Sequence, residues 1–150
     1  MKKQIKELIN NVKKSFPLLP KPKYTLSDSV VAADYGDNSN SFEENWRTWL
    51  DIKDAQVEQA DSLFIFLPAR DCQYYLPRYI IHFLEGIELK RYDRCDDFLI
   101  YYLFKINPHN NKEYSFSSNQ KELISEFMNF LSKEYTNLVE NTKKSILEDY

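Results

Sequence analysis

The histidines of this sequence are His82 and His109 and its cysteines are Cys72 and Cys95, and these residue types are frequent bases, nucleophiles and soft metal ligands. His82 and Glu85 are three residues apart, so on a helix they would share one face. Cys72 precedes His82 by ten residues, about 15 Å along a continuous helix, so only a kink at Pro77 could bring the two together. The cysteine spacing matches no zinc motif, and a bundle di-metal site needs more carboxylate and histidine ligands. The sequence therefore predicts no catalytic residue, no metal site and no cofactor.

Composition excludes several other kinds of chemistry. The sequence contains no P-loop, no G-x-S-x-G and no HExxH motif. Only two glycines occur in 150 residues, which argues against a glycine-rich phosphate loop and favours helices. Asp96 and Asp97 are adjacent and would not face each other on a helix, so helix capping is their simpler role. No residue pair therefore stands out as an acid and a base.

Charge indicates the kind of partner. The net charge of −3 argues against nucleic-acid binding, which depends on neutralising phosphates. Residues 24–71 carry ten acidic and three basic side chains, a composition that suits a basic protein partner. No apolar segment typical of a signal peptide follows the basic N-terminus, and no apolar run approaches the ~20 residues that span a bilayer. We expect a cytoplasmic protein that binds neither nucleic acid nor membrane.

Hydrophobic periodicity predicts a mainly α fold with about five to seven helices in a single domain. Three segments are expected within residues 1–150: a basic amphipathic helix at 1–16, an extended loop at 17–41 and a helical core at 42–150. Ser41 followed by Glu44 is typical of a capping box and predicts a helix to about Ile52. A second short helix is expected from Asp54 to Ala60.

The segment Leu63–Gly86 is the most apolar part of the chain and is expected to form a buried, proline-kinked centre. A helical turn should end near Tyr75, and a second helix should run from Pro77 to Glu85 with Gly86 as its C′ residue. Phe98–Ile106 fits a helix or a strand, and we favour the helix. We expect a turn at residues 107–111, which contains His109. A long helix capped by Ser117 or Ser118 should follow. A last helix should run through Leu138, Ile146 and Leu147.

The central segment also carries a resemblance. Residues 64–79 read F-x-F-L-P-x-x-x-x-x-Y-Y-L-P-R-Y, with Trp46 and Trp49 upstream and Ser118-Asn119-Gln120-Lys121-Glu122-Leu123 downstream. This pattern is similar to a loosely defined family of small bacterial proteins with no settled activity, and several families of this style are immunity proteins of bacterial toxin systems. The resemblance spans residues 42–135. Its motif is apolar, so it implies a shared core rather than a shared site.

Together with the small size, the acidic and aromatic composition and the lack of catalytic motifs, the resemblance favours a non-enzymatic immunity protein. Such a protein would bind a cognate toxin, such as a basic nuclease of a contact-dependent or polymorphic toxin system, and mask its active surface. Acidic and aromatic residues would supply the contacts. The candidate contacts are Asp34, Tyr35, Asp37, Glu43 and Glu44 in one segment and Glu88, Tyr92, Asp93, Asp96 and Asp97 in another. One alternative is a regulatory or structural interaction module that uses a Trp46/Trp49 face and could be homodimeric. A less favoured alternative is a small enzyme that uses Cys72, His82 or Glu85. The oligomeric state stays open.

Overall fold

The computed structural model describes residues 1–106 and 112–148, with side chains described through residue 134. These ranges contain seven α-helices and no β-strand, which confirms the predicted all-helical fold. The helices are α1 (Lys2–Ser15), α2 (Leu26–Ala33), α3 (Asp54–Gln59), α4 (Leu63–Phe66), α5 (Ala69–Glu88), α6 (Arg94–Ile106) and α7 (Ser118–Glu148), and a 3₁₀ turn (Trp49–Asp51) precedes α3. The turn predicted around His109 lies outside the described residues. The last predicted helix is instead a continuation of α7.

Helix α5 is the centre of the fold. It packs against α1, the 3₁₀ turn, α3, α4 and α6, while α1 also packs on α7. Its buried side chains include Tyr75, Leu76, Tyr79, Ile80, Phe83 and Leu84. The predicted break at Pro77 is wrong, because the helix continues through this residue. An interior proline costs a helix about 3 kcal/mol, and burial of apolar side chains on both sides of Pro77 offsets that cost.

The end of α5 also differs from the prediction. Gly86 lies inside the helix, and the C′ residue is Lys90, with φ +54°. The Arg91 N–H donates to the Gly86 carbonyl at 2.8 Å and the Lys90 N–H to the Ile87 carbonyl at 3.2 Å, which is a Schellman motif. A Cβ on Gly86 would lie 2.9 Å from the Arg91 carbonyl oxygen. Glycine is therefore needed at residue 86 for the close approach of the following turn.

Gly86→Ala should destabilise the protein by about 1–2 kcal/mol, although alanine is the better helix former. The added methyl group meets a backbone oxygen, which cannot rotate away as a side chain could. Urea unfolding followed by circular dichroism measures the change. Glu88→Ala, an exposed change in the last turn of α5, should stay within about 0.5 kcal/mol. A Gly86→Ala protein as stable as the wild type would show that this turn is free to shift.

In residues 17–52, local sequence patterns gave incorrect predictions of the helices. Residues 17–41 are not all extended, because Leu26–Ala33 form α2 with Thr25 and Asp28 as its capping box. The helix predicted from Ser41 to Ile52 is wrong, since only Trp49–Asp51 adopt a helical turn. The Glu44 carboxylate does not cap a helix at Ser41. It instead accepts hydrogen bonds from the backbone of α2, which lies 17 and 18 residues earlier in the chain.

The other predicted elements are confirmed. Helix α1 buries Ile5, Leu8 and Val12, as its periodicity indicates. A helix at 54–60 is present as α3, and Phe98–Ile106 is helical within α6. The apolar run Leu63–Leu67, which periodicity alone fits to a strand or a helix end, contains α4. Ser117 caps α7, because its hydroxyl accepts from the Gln120 N–H at 3.2 Å. Among the described helices, none combines the length and the apolar character that a membrane crossing requires.

Candidate functional site

The first group of predicted contact residues lies at the C-terminal end of α2. Tyr35 is the C′ residue of that helix, with φ +57° and a side chain that is fully exposed (101%). Its N–H donates to the Ala32 carbonyl at 3.2 Å, and the Gly36 N–H donates to the Val31 carbonyl at 2.9 Å. Glycine is the usual residue in this left-handed conformation, which costs other residues roughly 1–2 kcal/mol. The chain therefore holds a large aromatic ring in solvent at an energetic cost.

Carboxylates flank this tyrosine. The Asp34 carboxylate accepts from Asn40 Nδ2 at 3.1 Å, and Asp37 Oδ1 accepts from the Ser39 N–H at 2.8 Å. The hydrogen bonds from the Ser39 hydroxyl and N–H hold the pKa of Asp37 below its ordinary value. Glu43 is exposed nearby in the chain. These acids present negative charge on both sides of Tyr35.

Two of the predicted contact residues have structural roles instead. Glu44 accepts from Leu26 N–H (3.0 Å), Ser27 N–H (3.1 Å) and Trp46 Nε1 (2.9 Å). Asp96 is only 2% exposed, and its Oδ2 accepts from the Asp93 N–H at 2.8 Å to cap α6. Burial raises the pKa of Asp96 to about 6, although the backbone hydrogen bond opposes this. Both residues are therefore unsuited to a surface contact.

The rest of the second group lies around the turn between α5 and α6. Asp97 is exposed and accepts from the Tyr92 hydroxyl at 2.8 Å, while the Tyr92 ring lies edge-on to Phe83 at 6.2 Å. Glu88 is exposed in the last turn of α5. Asp93 is half-buried, because its carboxylate points to the buried ring of His82.

Helix α3 and Asp61, which follows its C-cap residue, lie between the two groups of predicted contact residues. This position was not predicted from the sequence. Asp61 and Asp34 line one shallow depression of about 310 Å³. Asp61 also lies 3.8 Å from the Arg94 guanidinium at the start of α6. Helix α3 contacts both α2 and α6, so we group the acidic side chains on and beside these helices, with Tyr35, as the acidic face: Asp34, Tyr35, Asp37, Glu58, Asp61 and Asp97. The i, i+4 spacing of Asp54 and Glu58 was the available sequence signal for acids on one side of α3.

A buried polar cluster lies beneath this surface. His82 is 0% exposed, and its Nδ1 lies 2.9 Å from Asp54 Oδ1 while its Nε2 lies 3.2 Å from Asp93 Oδ2. Arg78 donates from Nη2 to the same Asp54 oxygen at 2.7 Å and from Nε to the Ile52 carbonyl at 2.7 Å. Burial alone would raise the pKa of Asp54, but the hydrogen bonds from Arg78 and His82 outweigh it and hold the pKa at about 2.

Cys72 and His82, the pair that an enzyme would need, do not lie close together in the fold. Because α5 is continuous, Cys72 and His82 are separated by ten residues along one helix, a rise of about 15 Å. The Cys72 thiol faces the Leu67 carbonyl at 3.4 Å, and burial raises its pKa to about 12. The partners of His82 are Asp54 and Asp93 rather than Glu85. Cys95, not Cys72, is the cysteine near His82, and burial raises its pKa well above the ordinary range.

Iodoacetamide should modify neither cysteine in the native protein at neutral pH and both cysteines after unfolding in urea. Each side chain is only 1% exposed, and each thiol is held protonated by burial, whereas the thiolate is the reactive form. Mass spectrometry of the labelled peptides separates Cys72 from Cys95. Fast labelling of Cys72 in the native protein would instead support a reactive nucleophile there.

Tryptophan exposure bears on the interaction-module alternative. Trp46 and Trp49 are 5% and 1% exposed, so the predicted Trp46/Trp49 face is not a surface. The Trp49 Nε1 group donates to the Pro17 carbonyl, and the Tyr74 hydroxyl donates to the Leu19 carbonyl. These bonds hold residues 17–23, which contain three prolines, as one wall of a surface cavity of about 620 Å³.

The comparisons with known proteins place the chain in a family. A family model described as a family of unknown function, DUF6714, matches residues 4–150, so the chain belongs to that family. Neither the curated proteins nor the solved structures yield a match.

Proposed function

We propose that this protein is a non-enzymatic binding protein of the bacterial immunity type, which neutralises a basic toxin by covering its active surface with the acidic face. The observation that carries the proposal is Tyr35, a fully exposed aromatic side chain in a left-handed conformation with a carboxylate on either side. Lys90 has the same left-handed conformation without an aromatic ring, so the feature specific to Tyr35 is the exposed ring between two carboxylates. Residues 64–79 resemble a family of small bacterial proteins with no settled activity, and several families of that style are immunity proteins, which favours the same proposal.

The arrangement suits recognition of a cationic partner. Asp34, Asp37, Glu58, Asp61 and Asp97 supply negative potential that would speed association with a basic surface. Tyrosine is a frequent hot-spot residue because it buries a large area with little loss of side-chain entropy. Tyr35 is therefore the anchor of the proposed interface, and the carboxylates steer the partner onto it.

Tyr35→Gly separates binding from folding. Glycine relieves the left-handed strain, so this variant should be more stable than the wild type by up to about 1 kcal/mol while binding more weakly. Lys90→Gly is the matched control, since Lys90 is also an exposed C′ residue, with φ +54°. The control should gain stability equally and keep full binding.

Protection of cells is the direct test. The chain would be co-expressed with the toxin domain encoded beside its gene, and growth and co-purification would be measured. Wild type and Lys90→Gly should protect, and Tyr35→Gly and Asp37→Lys should protect less, whereas Glu122→Lys on the exposed face of α7 should have no effect. No protection and no complex with the wild type, or no neighbouring toxin gene, would contradict the immunity proposal.

A second candidate, a homodimeric interaction module, is favoured by one surface. Ile65 and Phe66 of α4 and Tyr101 and Phe104 of α6 are 54%, 42%, 60% and 59% exposed, and Phe64 stacks on Tyr102 at 4.3 Å where these helices meet. Exposed apolar patches of this kind are frequent at protein interfaces. Light scattering of the wild type and of Phe104→Glu tests the homodimer. A wild-type dimer that Phe104→Glu dissociates would support it, and a wild-type monomer at all concentrations would contradict it.

A further inference from the structure

A set of potential metal ligands converges where α5 meets the start of α6. The Nε2 or Nδ1 atom of His82, a carboxylate oxygen of Asp93 and the Cys95 thiol all lie within 4.8 Å of one another. His82 and Cys95 are buried and Asp93 is half-buried. Imidazole, thiolate and carboxylate are the ligands that zinc takes in proteins. The Asp93-x-Cys95 spacing and the distant His82 form no zinc motif that could be read from the sequence.

The distance between His82 and Asp93 is close to that in a tetrahedral site, and the Cys95 thiol lies within 4.8 Å of both ligand atoms. Bonds of about 2.0–2.3 Å put ligand atoms of a tetrahedral zinc site roughly 3.3–3.6 Å apart. Nε2 of His82 lies 3.2 Å from Asp93 Oδ2 and 3.8 Å from Glu58 Oε1, which makes Glu58 on α3 the candidate for the fourth position. The side chains of Asp93 and Glu58 are 31% and 40% exposed, so an ion can reach the buried ligands from solvent.

His82 is held in the orientation that a ligand needs. Its Nδ1 is paired with Asp54 at 2.9 Å, which directs Nε2 toward Asp93. A carboxylate on the far nitrogen is the usual way in which proteins orient a metal-binding histidine. Arg78 in turn fixes Asp54, with a 2.7 Å hydrogen bond to the same oxygen. Arg91 lies beside both nitrogens of the ring: its Nη2 is 3.3 Å from Nδ1, its Nε is 3.4 Å from Asp93 Oδ2, and its Nη1 is 4.0 Å from Glu58 Oε1. A bound ion would therefore take the place of this guanidinium at the two carboxylates.

The formal charge of the groups around this cluster favours a bound cation. Carboxylates outnumber guanidinium groups around His82: Asp54, Glu58, Asp93 and Asp96 against Arg78 and Arg91. Asp96 is 2% exposed, and its Oδ1 has no hydrogen-bond partner among the described residues. An unpartnered buried carboxylate oxygen is costly unless positive charge lies near it.

We propose that His82, Asp93 and Cys95 bind a divalent transition-metal ion, zinc by their ligand types, with Glu58 or a water as the fourth ligand and Asp54 as a positioning residue. Binding forms a metal–sulfur bond and releases the thiol proton of Cys95 to solvent. The ion would join α3, α5 and α6 beneath the acidic face. This inference goes beyond the proposed toxin binding and does not depend on it.

Cobalt(II) titration of the purified full-length protein tests the site. One ion per chain should produce the near-ultraviolet thiolate-to-cobalt charge-transfer band and the visible bands of tetrahedral cobalt, and zinc should displace it. Cys95→Ser should abolish the charge-transfer band, whereas Cys72→Ser should keep it, because Cys72 is equally buried but faces the Phe64 and Leu67 carbonyls at the end of α4. Circular dichroism checks that both variants are folded.

Asp54→Asn separates a built site from adventitious binding. Loss of an orienting carboxylate should weaken zinc affinity about 10–100-fold without removing the charge-transfer band. Asp93→Asn removes a half-buried ligand and should weaken zinc affinity more than Asp54→Asn does. Because Asp93 lies at the surface, this variant does not require the core to repack. Absence of the charge-transfer band in the wild type overturns the proposal, as does equal cobalt binding by wild type and Cys95→Ser. Neither result bears on toxin protection, which is measured separately.

Discussion

Glu44→Ala is expected to lower the free energy of unfolding by about 2–3 kcal/mol, a large share of the 5–15 kcal/mol typical of a domain. The carboxylate accepts from the Leu26 and Ser27 N–H groups at 3.0 and 3.1 Å, and from Trp46 Nε1 at 2.9 Å. First-turn N–H groups of a helix have no partner within the helix. Removing the acceptor therefore leaves part-buried donors unsatisfied and removes negative charge from the N-terminus of α2.

Glu43→Ala is the control for this prediction, since Glu43 is the neighbouring acid and is exposed. Its stability should stay within about 0.5 kcal/mol of the wild type. Glu44→Gln keeps one acceptor oxygen without the charge and should fall between the two. Thermal unfolding measures all three, with an expected loss of roughly 2–4 °C per kcal/mol for a chain of this size. Equal melting temperatures for Glu43→Ala and Glu44→Ala would refute the capping role.

The same residue explains why this part of the fold could not be predicted. Ser41 and Glu44 satisfy the capping-box spacing, as do Ser117 and Gln120, and only the second pair caps the helix that follows. The difference is tertiary: Glu44 finds its donors in α2, and Ser27 Oγ accepts the Phe42 N–H at 2.9 Å. The Ser117–Gln120 pair closes within one turn and was predicted, whereas the role of Glu44 depends on a long-range partner and was not. The Thr25–Asp28 capping box of α2 also closes within one turn, but it was missed.

In the candidate site, too, the parts that depend on long-range contacts could not be predicted from the sequence. The exposure of Tyr35, Asp37 and Glu43 follows from the polar residues around them in the chain, whereas the neighbours Asp96 and Asp97 share their surroundings and only Asp97 is exposed. The cluster around His82 joins residues 28 positions before it and 11 positions after it, and no periodicity within one helix encodes that meeting. A buried histidine predicts polar partners, but it does not say which acids provide them.

Arg78→Ala is expected to cost about 3 kcal/mol. The side chain is 7% exposed and holds two groups from outside α5, namely the Ile52 carbonyl and the Asp54 carboxylate, each at 2.7 Å. Removing one member of a buried ion pair costs about 3–5 kcal/mol, and the 43% exposure of Asp54 places this case at the lower end because water partly solvates the orphaned charge. Urea unfolding gives the value directly.

Two further variants establish why the loss occurs. Arg70→Ala, an exposed arginine on the same helix, should change stability by less than about 0.5 kcal/mol. Arg78→Lys keeps the charge but lacks the planar fork that reaches two acceptors, so it should recover only part of the loss. If the pair with Asp54 is the cause, Arg78→Ala and Asp54→Asn will show a coupling energy of about 1 kcal/mol or more in a double-mutant cycle. Additive losses would instead assign the effect to the Ile52 hydrogen bond and to packing of the arginine stem.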